Sequence, residues 1–356
     1  MMELSFYKGK KVFITGHTGF KGSWMSQMLL DAGAEVTGYA LENVSDPDLF
    51  SALHLAESMN SIIGDVRNYE GLYQALKDNR PEIVIHMAAQ PIVRESYVNP
   101  LYTYETNVMG TANVLEAVRN TDTVRSLINV TTDKVYRNRE WIWGYRENEE
   151  LDGYDPYSNS KSCSELVTAS YRRSFFGERN VAISTLRAGN VIGGGDFAKD
   201  RIVPDCVRAA EAGQKIILRN PNAVRPYQHV LEPVSVYLHV AQKQYEDKSL
   251  EGAYNIGPEE SNCITTGEIA TLFCRKWKEL SGRQQEWIAQ GDGGPHEANL
   301  LKLDCTKLKT TFDWKPVWNI EQAVAETTEW YYRCAEGEDM RSFTTEQIER
   351  YLMNEK

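Results

Sequence analysis

Tyr157 and Lys161 stand four residues apart in a Tyr-x-x-x-Lys pattern. On a helix that spacing puts both side chains on one face. An ammonium beside a phenol favours the phenolate and lowers the tyrosine pKa toward working pH, which makes a general base. With 19 tyrosines in the chain the pattern arises easily by chance. Its weight comes from Thr131-Thr132, hydroxyls one strand–helix unit earlier, at the expected C-terminal end of a strand. Strand C-termini line the ligand crevice in open α/β sheets, so the three residues together suggest a reacting centre.

A second run of chemistry-bearing residues is Thr15-Gly16-His17-Thr18-Gly19-Phe20-Lys21-Gly22. GxxGxxG between a first strand and a first helix lets the backbone turn sharply, approach a pyrophosphate and set it on the free amides of the helix. Gly16, His17, Thr18, Gly19, Phe20 and Gly22 are therefore candidates to hold a dinucleotide. Asp65-Val66 follows the third expected strand, where the carboxylate either accepts from an adenine amino group or is a solvated turn residue. The acidic residue expected after the second strand is absent, with Tyr39-Ala40-Leu41 there and Glu42 slightly late. No arginine stands there for a 2′-phosphate, so NAD is favoured over NADP and the ribose contact is unassigned.

These residues need a scaffold, and the apolar runs supply one. Strands are expected at Lys11–Thr15, Glu35–Tyr39, Ser61–Gly64, Ile83–His86, Ser126–Val130 and Val181–Leu186. Helices are expected at Lys21–Ala32, Tyr69–Asp78, Tyr102–Arg119 and Pro156–Phe176. This alternation predicts an α/β, Rossmann-type doubly wound parallel sheet with a smaller mixed α/β substrate-binding cap domain. The NAD-binding part spans 1–187, with segments near 230–257 (Val230–Gln242 and Tyr254–Ile256) returning to it. Residues 188–356 are mostly cap, and the absence of a flexible linker predicts two tightly docked parts.

The net charge of −11 argues against a nucleic-acid partner, although a few local cations suffice for a small anionic substrate. Met1–Lys10 shows no signal peptide, and no run approaches the roughly 18 apolar residues of a membrane helix. Six scattered cysteines never form CxxC, so neither a disulfide framework nor a zinc site is expected. His296 with Glu297 or His229 has no liganding spacing either, and no metal is expected. Reduced thiols in a cytoplasm are the corresponding expectation.

TGxxGxxG, the Ser/Thr after the fifth strand and YxxxK together resemble the extended short-chain dehydrogenases. His86-Met87-Ala88-Ala89, Asn107-Val108-Met109-Gly110-Thr111 and Arg187-Ala188-Gly189-Asn190 extend the resemblance over nearly the whole chain. It implies that Tyr157 removes a sugar hydroxyl proton while hydride leaves the same carbon for NAD. It also implies that Lys161 holds the nicotinamide ribose, that Thr132 hydrogen-bonds the reacting oxygen, and that Ala88, Ala89 and Asn107 join the cofactor site.

Thr132-Asp133-Lys134-Val135-Tyr136 further resembles the nucleotide-sugar 4,6-dehydratases, in which an acid–base pair follows the Ser/Thr. There, oxidation at C4 acidifies the C5 proton, an acid protonates the departing C6 hydroxyl, and hydride returns to C6. The resemblance implies Asp133 as the acid. Lys134 stands where better-known relatives carry a glutamate, and is a neutral base, a charged stabiliser of the enolate or a partner of Asp133. The Asp-Lys pair, Gly193-Gly194-Gly195-Asp196-Phe197 and Arg225-Pro226-Tyr227-Gln228-His229-Val230 are most similar to the CDP-glucose 4,6-dehydratases.

By family position Asn190, Arg201 and Arg225 are implied for the nucleotide diphosphate, with His296 and Glu297 where relatives close over the nucleotide. The expected reaction is dehydration of CDP-D-glucose to CDP-4-keto-6-deoxy-D-glucose, for deoxysugar or lipopolysaccharide synthesis. A 4,6-dehydratase or C4-epimerase acting on another nucleotide sugar is the alternative, and a catalytically silent NAD-binding module the rival of another class. Helices Tyr102–Arg119 and Pro156–Phe176 form a four-helix contact in relatives, which implies a homodimer or homotetramer.

Overall fold

The computed structural model describes residues 3–42, 47–291 and 300–355. Its first half alternates strand and helix as β1 (Lys11–Thr15), α1 (Phe20–Asp31), β2 (Glu35–Ala40), β3 (Asn60–Ile63), α2 (Tyr69–Asn79), β4 (Ile83–His86), α3 (Pro100–Tyr104), α4 (Gly110–Arg119), β5 (Ser126–Thr132), α5 (Pro156–Phe175) and β6 (Ala182–Ala188). Every residue of β4, β5 and β6 is buried, because helices cover both faces of the sheet. The second half contributes α6 (Ile202–Glu211), α7 (Leu231–Glu246), β7 (Ala253–Ile256), α8 (Thr266–Ser281), α9 (Ile320–Ala335) and α10 (Met340–Asn354).

The seven strands lie in the order β7-β6-β5-β4-β1-β2-β3, and all their pairings are parallel. The chain order reverses between β1 and β4, so the crevice of this doubly wound sheet opens at their C-terminal ends. Those ends are Thr15 and His86, which pair in register. The fold expected from the sequence is the one observed.

Tyr102–Arg119 is helical throughout, as expected, but not regular. Between α3 and α4, Glu105–Met109 widen into a π-helical turn. Asn107 in that turn is fixed by Gln90 and Ser160. Gly110 sits so close to Val66 that a Cβ there would come within 2.8 Å of Cγ2. The extra residue in the turn lets both contacts be met, as π-turns in helices commonly do. Strands β5 and β6 each run two residues beyond their expected ends, pairing Thr131 with Arg187 and Thr132 with Ala188.

Segment 231–246 is a helix on the sheet, where Ser126 Oγ donates to Ala241 O at 2.9 Å and Gln244 Nε2 to Leu127 O at 3.1 Å. Beyond it, three two-stranded pairings join 191–192 to 228–229, 216–218 to 287–289 and 224–225 to 264–265. Helix α10 packs against α1, where Gln27 Nε2 donates to Thr345 Oγ1 at 3.2 Å, and Trp24 Nε1 of α1 donates to Gly194 O at 2.9 Å. Among the described residues no helix is long and apolar enough to cross a membrane.

Candidate active site

One cleft of about 1270 Å³ lies over the C-terminal ends of the strands. That is above the usual range for a single drug-sized ligand, and the cleft has room for two. At one end is the glycine run. Gly16 has φ +80, and a Cβ on it would lie 2.7 Å from the Ala88 amide nitrogen. A Cβ on Gly22 would meet Gly16 O at 2.1 Å, so α1 presses directly on the loop. Gly19 is different, because a Cβ there would meet only Gly16 O, at 3.4 Å. It is the N-cap of α1, no side chain caps the helix, and its open side faces the cleft. Free amides, the positive end of a helix and a surface without side chains fit a pyrophosphate.

Thr18, Phe20, Asp65, Val66, Ala88 and Ala89 line the same end. The Thr18 hydroxyl donates to Leu41 O at 3.1 Å and fastens the loop to the end of β2. Asp65 is neither free nor simply solvated. Burial pushes its carboxyl up, but Arg67, with Nη2 2.6 Å from Oδ2, outweighs this and holds it below its ordinary value.

Two expected cofactor residues do not reach the cleft with their side chains. His17 turns inward, its Nε2 2.7 Å from Ser61 Oγ and its ring edge-on to Phe50. Burial lowers its pKa to about 4, so it is a neutral ring bracing the loop. Asn107 is consumed internally. Its Oδ1 accepts from Gln90 N at 2.9 Å, and its Nδ2 donates to Gln90 O at 3.1 Å and Ser160 Oγ at 2.9 Å. It pins the 88–91 loop to α5, and a buried amide with such partners has no donor left for a ligand.

Mid-cleft, α5 begins at Asp155, whose carboxylate accepts from Ser158 N at 3.0 Å as an N-cap, with Pro156 in the first turn. This start sets the face carrying Tyr157 and Lys161. The Tyr157 phenol hydrogen-bonds Thr132. Lys161 Nζ donates to Val130 O at 3.1 Å, and Thr132 Oγ1 to Asp133 Oδ1 at 2.9 Å. The end of β5 and the start of α5 thus bring four of the five expected catalytic side chains together.

The expected ammonium-lowered phenol is not what these protein groups produce. Desolvation in the cleft raises Tyr157 to about 12, with the Thr132 hydrogen bond opposing it and the Asp133 charge adding to it. Lys161 is itself lowered to about 8 by burial, which Glu165 opposes. Enclosure outweighs the i, i+4 ammonium here. Burial also raises the Asp133 carboxyl, against the pull of Lys134, Thr132, Arg225 and Lys21, and its Oδ2 has no partner among the described residues. A carboxyl held toward its protonated form is suited to giving a proton away. Lys134 is half-buried at the rim of the cleft.

Asn190, Arg201 and Arg225 line the far end. Arg201 Nη1 pairs with Asp196 Oδ2 at 2.7 Å, and Arg225 Nη1 donates to Val224 O at 3.0 Å. His296 and Glu297 lie outside the described residues. His229 is buried between Trp24 and Trp318 with its pKa lowered to about 3, a packed neutral ring. Among the described residues no cluster of three or more His, Cys, Asp or Glu side chains converges to hold a metal.

Several residues at the site were not anticipated. Lys21, inside the glycine run, lines the cleft, and Asp196, inside the GGGDF run, holds Arg201. Glu165 extends the stripe of Tyr157 and Lys161 by one more i, i+4 step. It receives Nε and Nη2 of Arg187, both at 2.9 Å, together with the Thr131 and Thr185 hydroxyls. The recurring four-residue spacing was the signal available for it.

The chain is 46% identical to the CDP-glucose 4,6-dehydratase of Salmonella typhimurium over 99% of both chains. Among solved structures, the dTDP-glucose 4,6-dehydratase of Bacillus anthracis in complex with NAD superposes with a TM-score of 0.75 at 22% identity, covering 92% of this chain and 98% of that one. The UDP-glucose 4-epimerase of Thermus thermophilus, also solved with NAD, gives 0.76 at 25% identity, covering 91% and 99%. The GDP-mannose 4,6 dehydratase family profile matches residues 13–327, from within β1 through most of the cap and into α9, and the chain belongs to that family.

Proposed function

We propose that this protein is an NAD-dependent 4,6-dehydratase that converts CDP-D-glucose to CDP-4-keto-6-deoxy-D-glucose and water. The observation that carries the reading is the buried Asp133 carboxyl, raised in pKa, one residue from the Thr132 that Tyr157 shares. An enzyme that only oxidised or epimerised at C4 would have no use for a second acid there. The choice of CDP-glucose rests on the extent of identity to the Salmonella typhimurium enzyme.

NAD, when bound, supplies a hydride acceptor at C4 that returns the hydride at C6. The open face at Gly19, with Ala88, Ala89, Asp65 and Val66, would hold it. Tyr157 takes the C4 hydroxyl proton, with Thr132 fixing the phenol and Lys161 lending positive charge close by. Once C4 is a ketone, Lys134 takes the C5 proton as a neutral base or, as a cation, steadies the enolate that its loss leaves, and after hydride reaches C6 a proton returns to C5 to complete the product. Asp133 protonates the departing C6 hydroxyl, which leaves as water. Arg201, held by Asp196, and Arg225 bind the diphosphate, with Asn190 beside them.

The division into an NAD-binding part and a cap, near residue 187, is part of the same proposal and follows from the position of the cleft between them. Val98, Leu101, Met109, Leu166 and Phe175 are exposed apolar residues on or beside the helices expected to pair, which supports a homo-oligomer. Six unbridged cysteines fit a reducing cytoplasm. Incubation with CDP-, dTDP-, UDP- and GDP-hexoses, followed by the alkali-sensitive 4-keto chromophore, tests the reading. Preferential turnover of a nucleotide other than CDP would overturn the substrate, and a 4-epimer as the product would overturn the reaction.

A further inference from the structure

The groups given to the two halves of the reaction are held differently. Thr132 closes β5, paired with Ala188 of β6, and Tyr157 and Lys161 ride on α5. Asp133 and Lys134 lie past the end of the strand, on the single 3₁₀ turn Asp133–Val135. The near end of the turn leans on Thr132, whose Oγ1 accepts from Lys134 N at 3.4 Å. At the far end Val135 O accepts from Ser162 Oγ of α5 at 2.8 Å and from Asp152 N at 3.0 Å. Tyr136 follows, and its buried hydroxyl reaches two further strands. It donates to Asn255 Oδ1 of β7 and accepts from Arg187 Nη1 of β6, both at 2.7 Å.

Arg187 joins this turn to α5 and to the segment at Glu147. Its Nε and Nη2 face Glu165, both at 2.9 Å, and Nη1 serves Tyr136 and also Glu147 O, the latter at 3.0 Å. Asn255 continues the chain of bonds, its Nδ2 donating to Tyr145 O at 2.7 Å and to Asp304 O at 3.1 Å. Tyr136 lines the cleft, whereas Arg187 and Glu165 stand behind it. Packing by itself asks for none of these bonds. The Tyr136 ring stacks on Tyr145 with centroids 5.2 Å apart, which a phenylalanine would do equally. A buried ion pair is commonly no more stabilising than apolar residues of the same size. What directional bonds to a planar guanidinium add is a fixed spacing between β6, α5 and the residue that ends the acid–base turn.

We propose that Arg187, acting through the Tyr136 hydroxyl, is a positioning residue for the elimination step, setting where Asp133 and Lys134 stand relative to a sugar held at Thr132 and Tyr157. The inference rests on the dehydratase reading. Oxidation at C4 depends on groups that the sheet and α5 hold without Tyr136, so the network acts on water loss. A displacement of about 1 Å costs as much as about a hundredfold in rate, even when the residue changed never meets the substrate.

The test is Tyr136→Phe in the full-length protein, assayed with CDP-glucose and NAD, because it removes the hydroxyl and keeps the ring. Water loss is expected to fall by about ten- to a hundredfold, with KM near wild type. Nicotinamide reduction on mixing keeps its wild-type rate, so reduced nicotinamide accumulates during turnover. Arg187→Lys keeps a charge for Glu165 but loses the planar fork. It is expected to give the same imbalance between reduction and water loss, and is read alongside in case the phenylalanine variant does not fold. The double variant should lose water no more slowly than the slower single variant, because both substitutions break one link. A lower Tm with reduction and water loss unchanged, or falling together, overturns the proposal and leaves the network a purely structural one. A loss that appears wholly as a raised KM also overturns it and makes Tyr136 a substrate contact. Failure of the wild-type protein on every nucleotide hexose is a separate result, which removes the dehydratase reading and this inference with it.

Discussion

Thr132 Oγ1 donates a 2.9 Å hydrogen bond to Oδ1 of the adjacent Asp133, while Oδ2 of the same carboxyl is buried without a partner among the described residues. The hydroxyl that serves Tyr157 therefore also orients the acid. Asp133 is raised by burial, so it keeps its proton at pH values where an exposed aspartate has lost it.

Asp133→Asn is expected to retain C4 oxidation, seen as reduced nicotinamide on mixing with CDP-glucose, and to lose dehydration by about 10²–10⁴-fold. A carboxyl whose folded pKa lies above its unfolded value contributes stability at low pH that is lost as pH rises through the folded value. The asparagine variant should therefore melt higher than wild type at neutral pH. An equal or lower Tm there would count against a strained, buried carboxyl.

Tyr157→Phe removes the only proton acceptor proposed for the C4 hydroxyl. Nicotinamide reduction should fall by about 10²–10⁴-fold with substrate affinity preserved. Stopped-flow absorbance separates this from the Asp133 variant, because here the reduced cofactor forms slowly and in the Asp133 variant it forms at the normal rate. With Lys161 lowered to about 8, the wild-type rate of this step should decline as pH rises through that value.

Lys134→Met is expected to reduce NAD normally and to fail at water loss. Normal dehydration in that variant would leave the residue as a rim lysine that only tempers the charge of Asp133.

Glu165→Gln breaks the buried pair with Arg187 and leaves a guanidinium uncompensated. The loss should be about 3–5 kcal/mol by urea unfolding. A change under 1 kcal/mol would mean that Tyr136, which accepts from Arg187 Nη1 at 2.7 Å, and the other neighbours carry the charge by themselves.

Glu232 makes a pH prediction far from the cleft. Its carboxyl ties α7 to the 317–318 backbone, at 3.0 and 2.8 Å, and to Tyr351 of α10 at 3.0 Å. Burial raises it from 4.5 to about 7, and those hydrogen bonds oppose the rise. The folded state holds a proton that the unfolded state has released, so stability falls as pH climbs from about 4.5 through 7, by roughly 3 kcal/mol. Glu232→Gln should flatten the dependence of Tm on pH across that window.

The strand–helix alternation, the parallel sheet and the placement of the glycine run, Thr132 and YxxxK were legible in the sequence. Each follows from local periodicity or from a fixed offset along one element. An i, i+4 pair meets on a helix whatever packs around it, and a glycine run after a strand turns the chain toward the crevice. Asp133 was legible only through family resemblance, since a carboxyl after a strand has no chemistry until its surroundings are known.

Tertiary structure decided what depends on enclosure and on which neighbour faces which. Nothing in the order of residues shows that His17 turns under its loop toward Ser61, or that Asn107 spends its amide on Gln90 and Ser160. The pKa directions at Tyr157, Lys161 and Asp133 are set chiefly by the water that the walls of the cleft exclude, and those walls come from residues more than a hundred positions apart in the chain.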